Sequence, residues 1–224
     1  MDIGEQTYSA TLQVLAVLFL SSLIYGVYWL RSSKQKLRQS LSQFIGLKSF
    51  SAQLDSRYFL ILLALICFAV LSTYLQFESE SFRRFLTGEN SPYGKILRTG
   101  FDFKALQKAA IYCFVQAAAS EELLFRGLLA KRLYSKLGHA KGNAVQALFF
   151  WLMHLGIFGL ITGEWISWVQ LFVFLTSFGL GLVLGYVNFR KHGESIGPSW
   201  ILHGSVNFIS FLTLAVLSSS PSIN

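Results

Sequence analysis

Residues 165–189 read WISWVQLFVFLTSFGLGLVLGYVNF, 25 consecutive residues without Lys, Arg, Asp or Glu. A helix that crosses the hydrocarbon core of a bilayer needs about 20 predominantly apolar residues. The alternation typical of an outer-membrane barrel is absent from this stretch. Four further uncharged runs of at least 20 residues occur at 6–30, 58–77, 142–163 and 195–224. The sequence therefore predicts an all-α fold, a polytopic bundle of transmembrane helices.

The composition and the charge also fit a membrane protein. Of the 224 residues, 53% are hydrophobic and only 13% are charged, whereas about 25% is usual in soluble domains. In such a protein, a net charge of +8 is expected to reflect cytoplasmic loops and contact with anionic headgroups. Membrane lipids are therefore predicted partners, and nucleic acid is not. The first apolar run is predicted to span the membrane as well, because no basic region precedes it and it is longer than the apolar part of a signal peptide.

About six spans are predicted, and Glu121, Glu122 and Arg126 interrupt the third. Two N-terminal helices, a basic loop and an amphipathic linker occupy 1–105, and 106–218 forms a core that a short tail, 219–224, follows. The predicted spans are 8–30, 58–77, 107–129, 143–163, 166–189 and 198–218. Helical spacing in the basic loop predicts a short helix on the membrane surface, with apolar residues at Leu37, Leu41, Phe44 and Ile45.

Basic residues are concentrated on one predicted side of the membrane. If all six segments span, loops 31–57, 130–142 and 190–197 share a side and carry twelve Lys and Arg. Loop 78–106 lies on the other side with five, which four acidic residues offset. The positive-inside rule then predicts that both termini lie outside, in a plasma membrane or bacterial inner membrane.

Polar side chains inside the predicted spans are costly there and indicate a functional site. They are Glu121, Glu122, Arg126, His154, His203 and Asn207. Glu122 and Arg126 are four residues apart on one helix face, so they can pair. Glu121 is rotated by about 100° from that face and is left free for chemistry. At about 1.5 Å per residue, Glu121, His154 and His203 lie at most roughly 15–20 Å from the cytoplasmic basic residues, which predicts one shared site in the cytoplasmic half.

These groups suit the activation of water. A glutamate can act as general base, one histidine can orient the water or shuttle its proton, and a second histidine with an asparagine can stabilise an oxyanion. Zinc hydrolases also use two histidines and a glutamate. A divalent metal such as zinc on Glu121, His154 and His203 and a metal-free site therefore both remain open. An aspartyl pair is excluded, since no aspartate lies in a span.

Three motifs occur in order, each in an apolar helix. They are Glu121-Glu122-Leu-Leu-Phe-Arg126 (EExxxR), Phe150-Trp-Leu-Met-His154 (FxxxH) and His203-Gly-Ser-Val-Asn207 (HxxxN). The ordered set, within about 106–215, resembles the CPBP family of CAAX proteases and bacteriocin-processing enzymes, also called the Abi family, which includes the type II CAAX prenyl endopeptidases. The two N-terminal spans match that family only in being hydrophobic.

The resemblance implies an intramembrane, glutamate-dependent endopeptidase. The residues that it implies as catalytic are Glu121, His154, His203 and Asn207, and those that it implies as supporting are Glu122, Arg126 and Phe150. Glu121 would activate water with help from His154, and the HxxxN pair would bind the oxyanion. The substrate would be a peptide or a lipid-modified membrane protein, cleaved near the cytoplasmic face. Eukaryotic CAAX enzymes have eight spans, so whether the substrate is prenylated stays open.

Two functions without proteolysis use the same residues. A family member can act as a membrane immunity or scaffold protein that binds a peptide or a partner. A small proton-coupled transporter can use the same Glu and His side chains as a proton relay, although the chain has no visible internal repeat.

Overall fold

The computed structural model describes residues 2–31, 40–48, 56–89, 91–163, 165, 167–191 and 195–219. Every regular element in these ranges is helical, which confirms the predicted all-α class. Leu37, the basic residues Lys34, Lys36 and Arg38, and the tail from 220 onward lie outside the described residues.

In the described residues, nine helices follow one another along the chain. They are α1 (Ile3–Arg31), α2 (Leu41–Phe44), α3 (Ser56–Phe77), α4 (Glu80–Thr87), α5 (Pro92–Leu97), α6 (103–137), α7 (His139–Thr162), α8 (Trp168–Tyr186, continued by the π-helical turn Val187–Lys191) and α9 (Gly197–Ser219). Five of them, α1, α3, α7, α8 and α9, are long and apolar enough to cross a membrane. Together with α6 they form a helix bundle of five to six spans, and that α6 also crosses the membrane stays a prediction.

Helix α6 contains the third predicted span and the EExxxR motif. It begins at the N-cap Asp102, whose side chain accepts a hydrogen bond from the Ala105 amide at 2.8 Å, and it ends at Gly138, whose φ of 74° breaks the helix before α7. Between these ends the helix is π-helical at Ile111–Ala119 and Leu123–Ala130. The wider π turns, which often occur at functional sites, flank the two glutamates.

Small residues bring α7 and α8 into close contact. A Cβ added at Gly181 would lie 3.0 Å from the Ala147 Cβ, and one added at Gly185 would lie 1.9 Å from the Asn143 Oδ1. Because the glycines have no side chains, side-chain amides of α7 fit against α8, and the Gln146 Nε2 donates to the Gly181 carbonyl at 2.8 Å. Gly181 and Gly185 thus form a close helix contact of the small-xxx-small kind.

The short helix α2 is docked on the bundle, a contact that the sequence did not predict, and its position at the membrane surface stays a prediction. Phe44 and Ile45 are buried in a cluster with Leu123 and Leu128 of α6. The Arg132 guanidinium lies 3.4 Å above the Phe44 ring and donates to its carbonyl. The apolar residues of the loop therefore cover α6, because a cation–π contact and buried area hold them there.

Candidate active site

Helices α6, α7 and α9 bring the three sequence motifs into one cluster. The centre of the cluster is Phe150, which is fully buried. Its ring lies 4.5 Å from the Arg126 guanidinium carbon, 4.6 Å from the His154 ring and 5.7 Å from the His203 ring. Side chains that are separated by up to 77 positions in the sequence are thus packed around one phenyl ring.

Arg126 and Glu122 form the ion pair that their spacing predicts. The Nη1 of Arg126 is 2.9 Å from the Oε1 of Glu122, and both side chains are 0% exposed. Arg126 also donates from Nη2 to the Gly181 carbonyl at 3.4 Å. Because two buried charges must be compensated within a membrane, this pair holds α6 against α8 and fixes Glu122 as a carboxylate.

His203 lies between the two glutamates. Its Nδ1 is 3.0 Å from the Glu122 Oε1, and its Nε2 is 3.7 Å from the Glu121 Oε2. A carboxylate can only accept a hydrogen bond, so the Nδ1 carries a proton and donates a hydrogen bond to Glu122. The Nε2 is left as the nitrogen that faces Glu121 and the reaction site.

Glu121 has the environment expected of a free base. Its Oε2 is buried and has no hydrogen-bond partner among the described residues, since 3.7 Å to the His203 Nε2 exceeds hydrogen-bond length. The side chain as a whole is 19% exposed. A carboxylate oxygen in this state can accept a proton or a hydrogen bond from water.

His154 presents one nitrogen for chemistry. Its Nδ1 is 2.8 Å from the carbonyl oxygen of Phe150. Since a carbonyl oxygen only accepts, the Nδ1 is protonated, and in the neutral ring the Nε2 carries the lone pair. His154 is therefore oriented to accept a proton or a hydrogen bond through Nε2.

A chamber of about 220 Å³ adjoins the cluster, and His154, His203 and Asn207 line it together with Phe150. Glu121 is not among the described residues that line this chamber; it meets the lining at His203. Three of the four residues implied as catalytic, His154, His203 and Asn207, thus line one chamber. The fourth, Glu121, lies next to the chamber, beside His203.

Tyr93 is a component of the chamber wall that no sequence motif marks. It lies on α5, which Ser91 caps by accepting from the Gly94 amide. Its hydroxyl donates to the backbone carbonyl of Asn207 at 3.0 Å, and its ring packs edge-on against Tyr112. The Pro92 after the capping serine was the available signal, but it predicts only a helix start.

Glutamate and histidine side chains such as these could also bind a metal ion. No group of three or more His, Cys, Asp or Glu side chains is arranged to hold one in the part of the chain that the structure describes. The Nδ1 of His203 faces a glutamate and the Nδ1 of His154 faces a carbonyl. Glu121, His154 and His203 are thus not arranged as a three-ligand zinc site, although both Nε2 atoms stay free, as in metal-bound histidines.

Comparison with known proteins identifies the segment that carries these residues. Residues 105–209 match the family model described as Type II CAAX prenyl endopeptidase Rce1-like. All three motifs lie within the matched segment. No curated protein and no solved structure matches the chain.

Proposed function

Because the chain belongs, through residues 105–209, to the Rce1-like family of type II CAAX prenyl endopeptidases, we propose that it is an intramembrane endopeptidase with Glu121 as its general base. The observation that carries this proposal is the Glu121 carboxylate, which lacks the arginine partner that Glu122 has among the described residues, is 19% exposed and lies beside His203. A carboxylate without a paired arginine inside a membrane is costly, so its retention favours a chemical role.

Peptide hydrolysis at this site needs a base and an oxyanion site. The Glu121 carboxylate removes a proton from water while the water oxygen attacks the scissile carbonyl carbon, and the carbonyl π electrons move to its oxygen. Collapse of the tetrahedral intermediate breaks the C–N bond, and the proton passes from Glu121 to the leaving nitrogen. The Nε2 of His154 accepts a hydrogen bond from the attacking water and orients it.

The oxyanion is stabilised by the HxxxN pair. The side-chain amide of Asn207 donates to it, and a proton on the Nε2 of His203 provides a second donor. With that proton, the two carboxylates of Glu121 and Glu122 are balanced by Arg126 and an imidazolium, so the cluster carries no net charge. A cluster without net charge costs less free energy to bury, which supports a protonated His203 as a hydrogen-bond donor to the oxyanion.

Tyr93 is proposed to position Asn207. Tyr93→Phe removes the hydrogen bond to the Asn207 carbonyl, and we expect kcat to fall by about 2- to 10-fold, the value of one net hydrogen bond. KM and the unfolding temperature should stay close to wild type, which separates positioning from a structural role. Tyr74→Phe is the matched control, because Tyr74 is an exposed tyrosine of α3. Equal kcat for Tyr93→Phe and wild type would contradict this role.

The reaction is proposed to be independent of metal. We expect hydrolysis by the purified protein to be unchanged after treatment with EDTA or 1,10-phenanthroline, since the described side chains do not converge as a ligand set. Product formation is measured before and after chelation, with a zinc peptidase treated in parallel. Loss of activity that returns on adding Zn²⁺ would show that a metal completes the site.

The substrate is proposed to be a peptide or a lipid-modified protein in or at the membrane. The bundle is proposed to have both termini outside and its twelve basic loop residues in the cytoplasm, in a plasma membrane or bacterial inner membrane. The reactive groups lie within the membrane, so a substrate segment must enter the hydrocarbon region.

Matched membranes that contain wild type or Glu121→Gln at equal levels test the proposed activity. Mass spectrometry of peptides and protein termini should reveal cleavage products present only with wild type. Each product would identify a substrate and the bond cleaved. Identical profiles in a host that holds the native substrates, with both proteins folded, would favour a membrane protein that binds a peptide or partner without cleaving it.

A further inference from the structure

Residues 43–48, which we term the clamp, contain the end of α2 and the turn that follows it. The clamp residues Phe44 and Ile45 are buried in one cluster with Leu123 of α6 and with Ile196, which directly precedes α9. The clamp therefore contacts both the helix that carries the glutamates and the start of the helix that carries the HxxxN motif. It lies outside the segment that matches the family.

On the α6 side, basic side chains bind backbone carbonyls of the clamp. The Lys131 Nζ donates to the Gln43 carbonyl at 2.8 Å. The Arg132 Nη1 donates to the Phe44 carbonyl at 3.1 Å, and the same nitrogen donates to the Gly127 carbonyl at 2.8 Å. Because charged donors form stronger hydrogen bonds than neutral ones, the clamp is fixed to the helix turn that follows the EExxxR motif.

On the α9 side, the two residues before the helix bind the clamp. The Ile196 amide donates to the Gly46 carbonyl, and the Ser195 hydroxyl donates to the Lys48 carbonyl, both at 3.1 Å. Gly46 has a φ of 79°, a left-handed conformation that glycine adopts without strain and that lets the chain turn after α2. These two hydrogen bonds fix the start of α9 against the clamp.

Gly127 is the point at which the clamp comes closest to α6. A Cβ added at Gly127 would lie 2.2 Å from the carbonyl oxygen of Ile45. Glycine is a poor helix former, so its place inside α6 needs a reason, and the approach of the Ile45 backbone supplies one. Because Gly127 follows Arg126 directly, the clamp sets the position of α6 at the end of the EExxxR motif.

A second, direct contact between α6 and α9 lies at Phe114. The Trp200 Nε1 donates to the Phe114 carbonyl at 2.5 Å, and a Cβ added at Gly204 would lie 2.2 Å from the Phe114 Cδ1. Glu121 lies seven residues after Phe114 and six residues before Gly127. The glutamates are therefore placed between two points at which α6 is held relative to α9, one direct and one through the clamp.

We propose that the clamp positions Glu121 against His203, and that Gly127 is the residue of α6 through which it acts. This inference rests on the proposed peptidase function. The Nδ1 of His203 lies 3.0 Å from Glu122 and its Nε2 lies 3.7 Å from Glu121, so a shift of α6 against α9 changes both distances. A close-packed interior transmits such a shift. No clamp residue is among the described residues that line the chamber, so its role is positioning and not catalysis.

Gly127→Ala tests the proposal, because the added Cβ forces the clamp away from α6. We expect kcat to fall by about 10- to 100-fold, since a displacement of about 1 Å can have an effect of that size. KM should stay close to wild type, because the chamber lining is unchanged. Gly26→Ala is the matched control, since a Cβ added at Gly26 of α1 meets no atom within 4 Å. Wild-type kcat in a folded Gly127→Ala would overturn the proposal.

Ser195→Ala is a smaller change that tests the clamp even if Gly127→Ala does not fold. It removes the hydrogen bond to the Lys48 carbonyl, and we expect kcat to fall by about 2- to 10-fold, the value of one net hydrogen bond. Ser219→Ala is its control, because the exposed Ser219 hydroxyl donates to the Val216 carbonyl of its own helix. Equal kcat in the two serine variants would contradict the role of the clamp.

A double variant separates the positioning of Glu121 from a general loss of structure. In Glu121→Gln the base is already removed, so adding Gly127→Ala should cause little further loss of kcat, since residues that act as a unit are not additive. If Gly127→Ala slowed Glu121→Gln as much as it slows wild type, the clamp would not act through Glu121, and the proposal would be overturned.

Nitrogen NMR keeps one test independent of cleavage. The chain has four histidines, so the side-chain nitrogen signals of His203 can be assigned by comparison with His203→Gln. We expect these signals to shift in Gly127→Ala and in Ser195→Ala, because the hydrogen bond to Glu122 changes, and to stay unchanged in Gly26→Ala. Unshifted His203 signals in the first two variants would overturn the proposal. An inactive wild type with the expected shifts would refute the peptidase function and leave the effect of the clamp on His203 intact.

Discussion

Glu121→Gln should slow peptide hydrolysis by about 10²- to 10⁴-fold, the usual contribution of a positioned general base. The amide keeps the shape of the side chain but cannot take a proton from water. Its effect is measured as kcat on a substrate peptide identified from cleaved termini. Glu89→Gln, which changes an exposed loop carboxylate, should leave kcat unchanged.

The same variant is expected to keep its stability. The Oε2 of Glu121 has no hydrogen-bond partner among the described residues, so replacing the carboxylate by an amide removes no hydrogen bond at that atom. The amide no longer balances the charge of a protonated His203, and this loss offsets the gain from burying a neutral group. The unfolding temperature in detergent should therefore stay close to that of wild type. Retained hydrolysis by a folded Glu121→Gln would reject Glu121 as the base.

Much of the architecture was predictable because a membrane constrains it strongly. Uncharged runs of 20 or more residues leave few alternatives to spanning helices. Local helix geometry likewise predicted the Glu122–Arg126 pair, since residues four apart share a face. The common depth of Glu121, His154 and His203 predicted that they could meet, and in the structure His203 does lie beside Glu121.

The walls of the chamber were not predictable in the same way. Phe82 and Tyr93 belong to the short helices α4 and α5, whose sequence shows an amphipathic pattern but not the surface that it covers. Their positions depend on contacts with Phe158 and with the Asn207 carbonyl, which are 76 and 114 residues away along the chain. The π-helical turns of α6 were also missed, because their hydrogen-bond register has no simple sequence signal.

The basic loop shows the same limit. Its bases and apolar residues predict contact with the membrane surface, which stays a prediction, and in the structure Phe44 and Ile45 also pack on Leu123 and Leu128 of α6. An amphipathic segment buries its apolar face against whichever apolar surface the tertiary fold supplies. The sequence alone does not distinguish the bilayer from a neighbouring helix.

Arg126→Met is expected to destabilise the folded protein by about 3–5 kcal/mol, the cost of breaking a buried ion pair from one side. The change leaves the fully buried Glu122 carboxylate without its cation and removes the contact between the guanidinium and the Phe150 ring. His203, which donates to the same carboxylate oxygen, then becomes its main compensation. The free energy of unfolding is measured for both proteins in detergent, by titration with denaturant.

Two further variants separate charge from packing. The double variant Glu122→Gln/Arg126→Met removes both charges and should recover most of the lost stability, because no buried charge is left alone. Arg84→Met breaks a Glu–Arg pair of the same four-residue spacing on α4, where the side chains are 77% and 64% exposed, and should have no measurable effect. If Arg84→Met and Arg126→Met destabilised the protein equally, the loss of stability would come from the four-residue helical pairing itself and not from the burial of the Glu122–Arg126 pair. If the double variant were as unstable as Arg126→Met, the guanidinium would act mainly through its packing on Phe150.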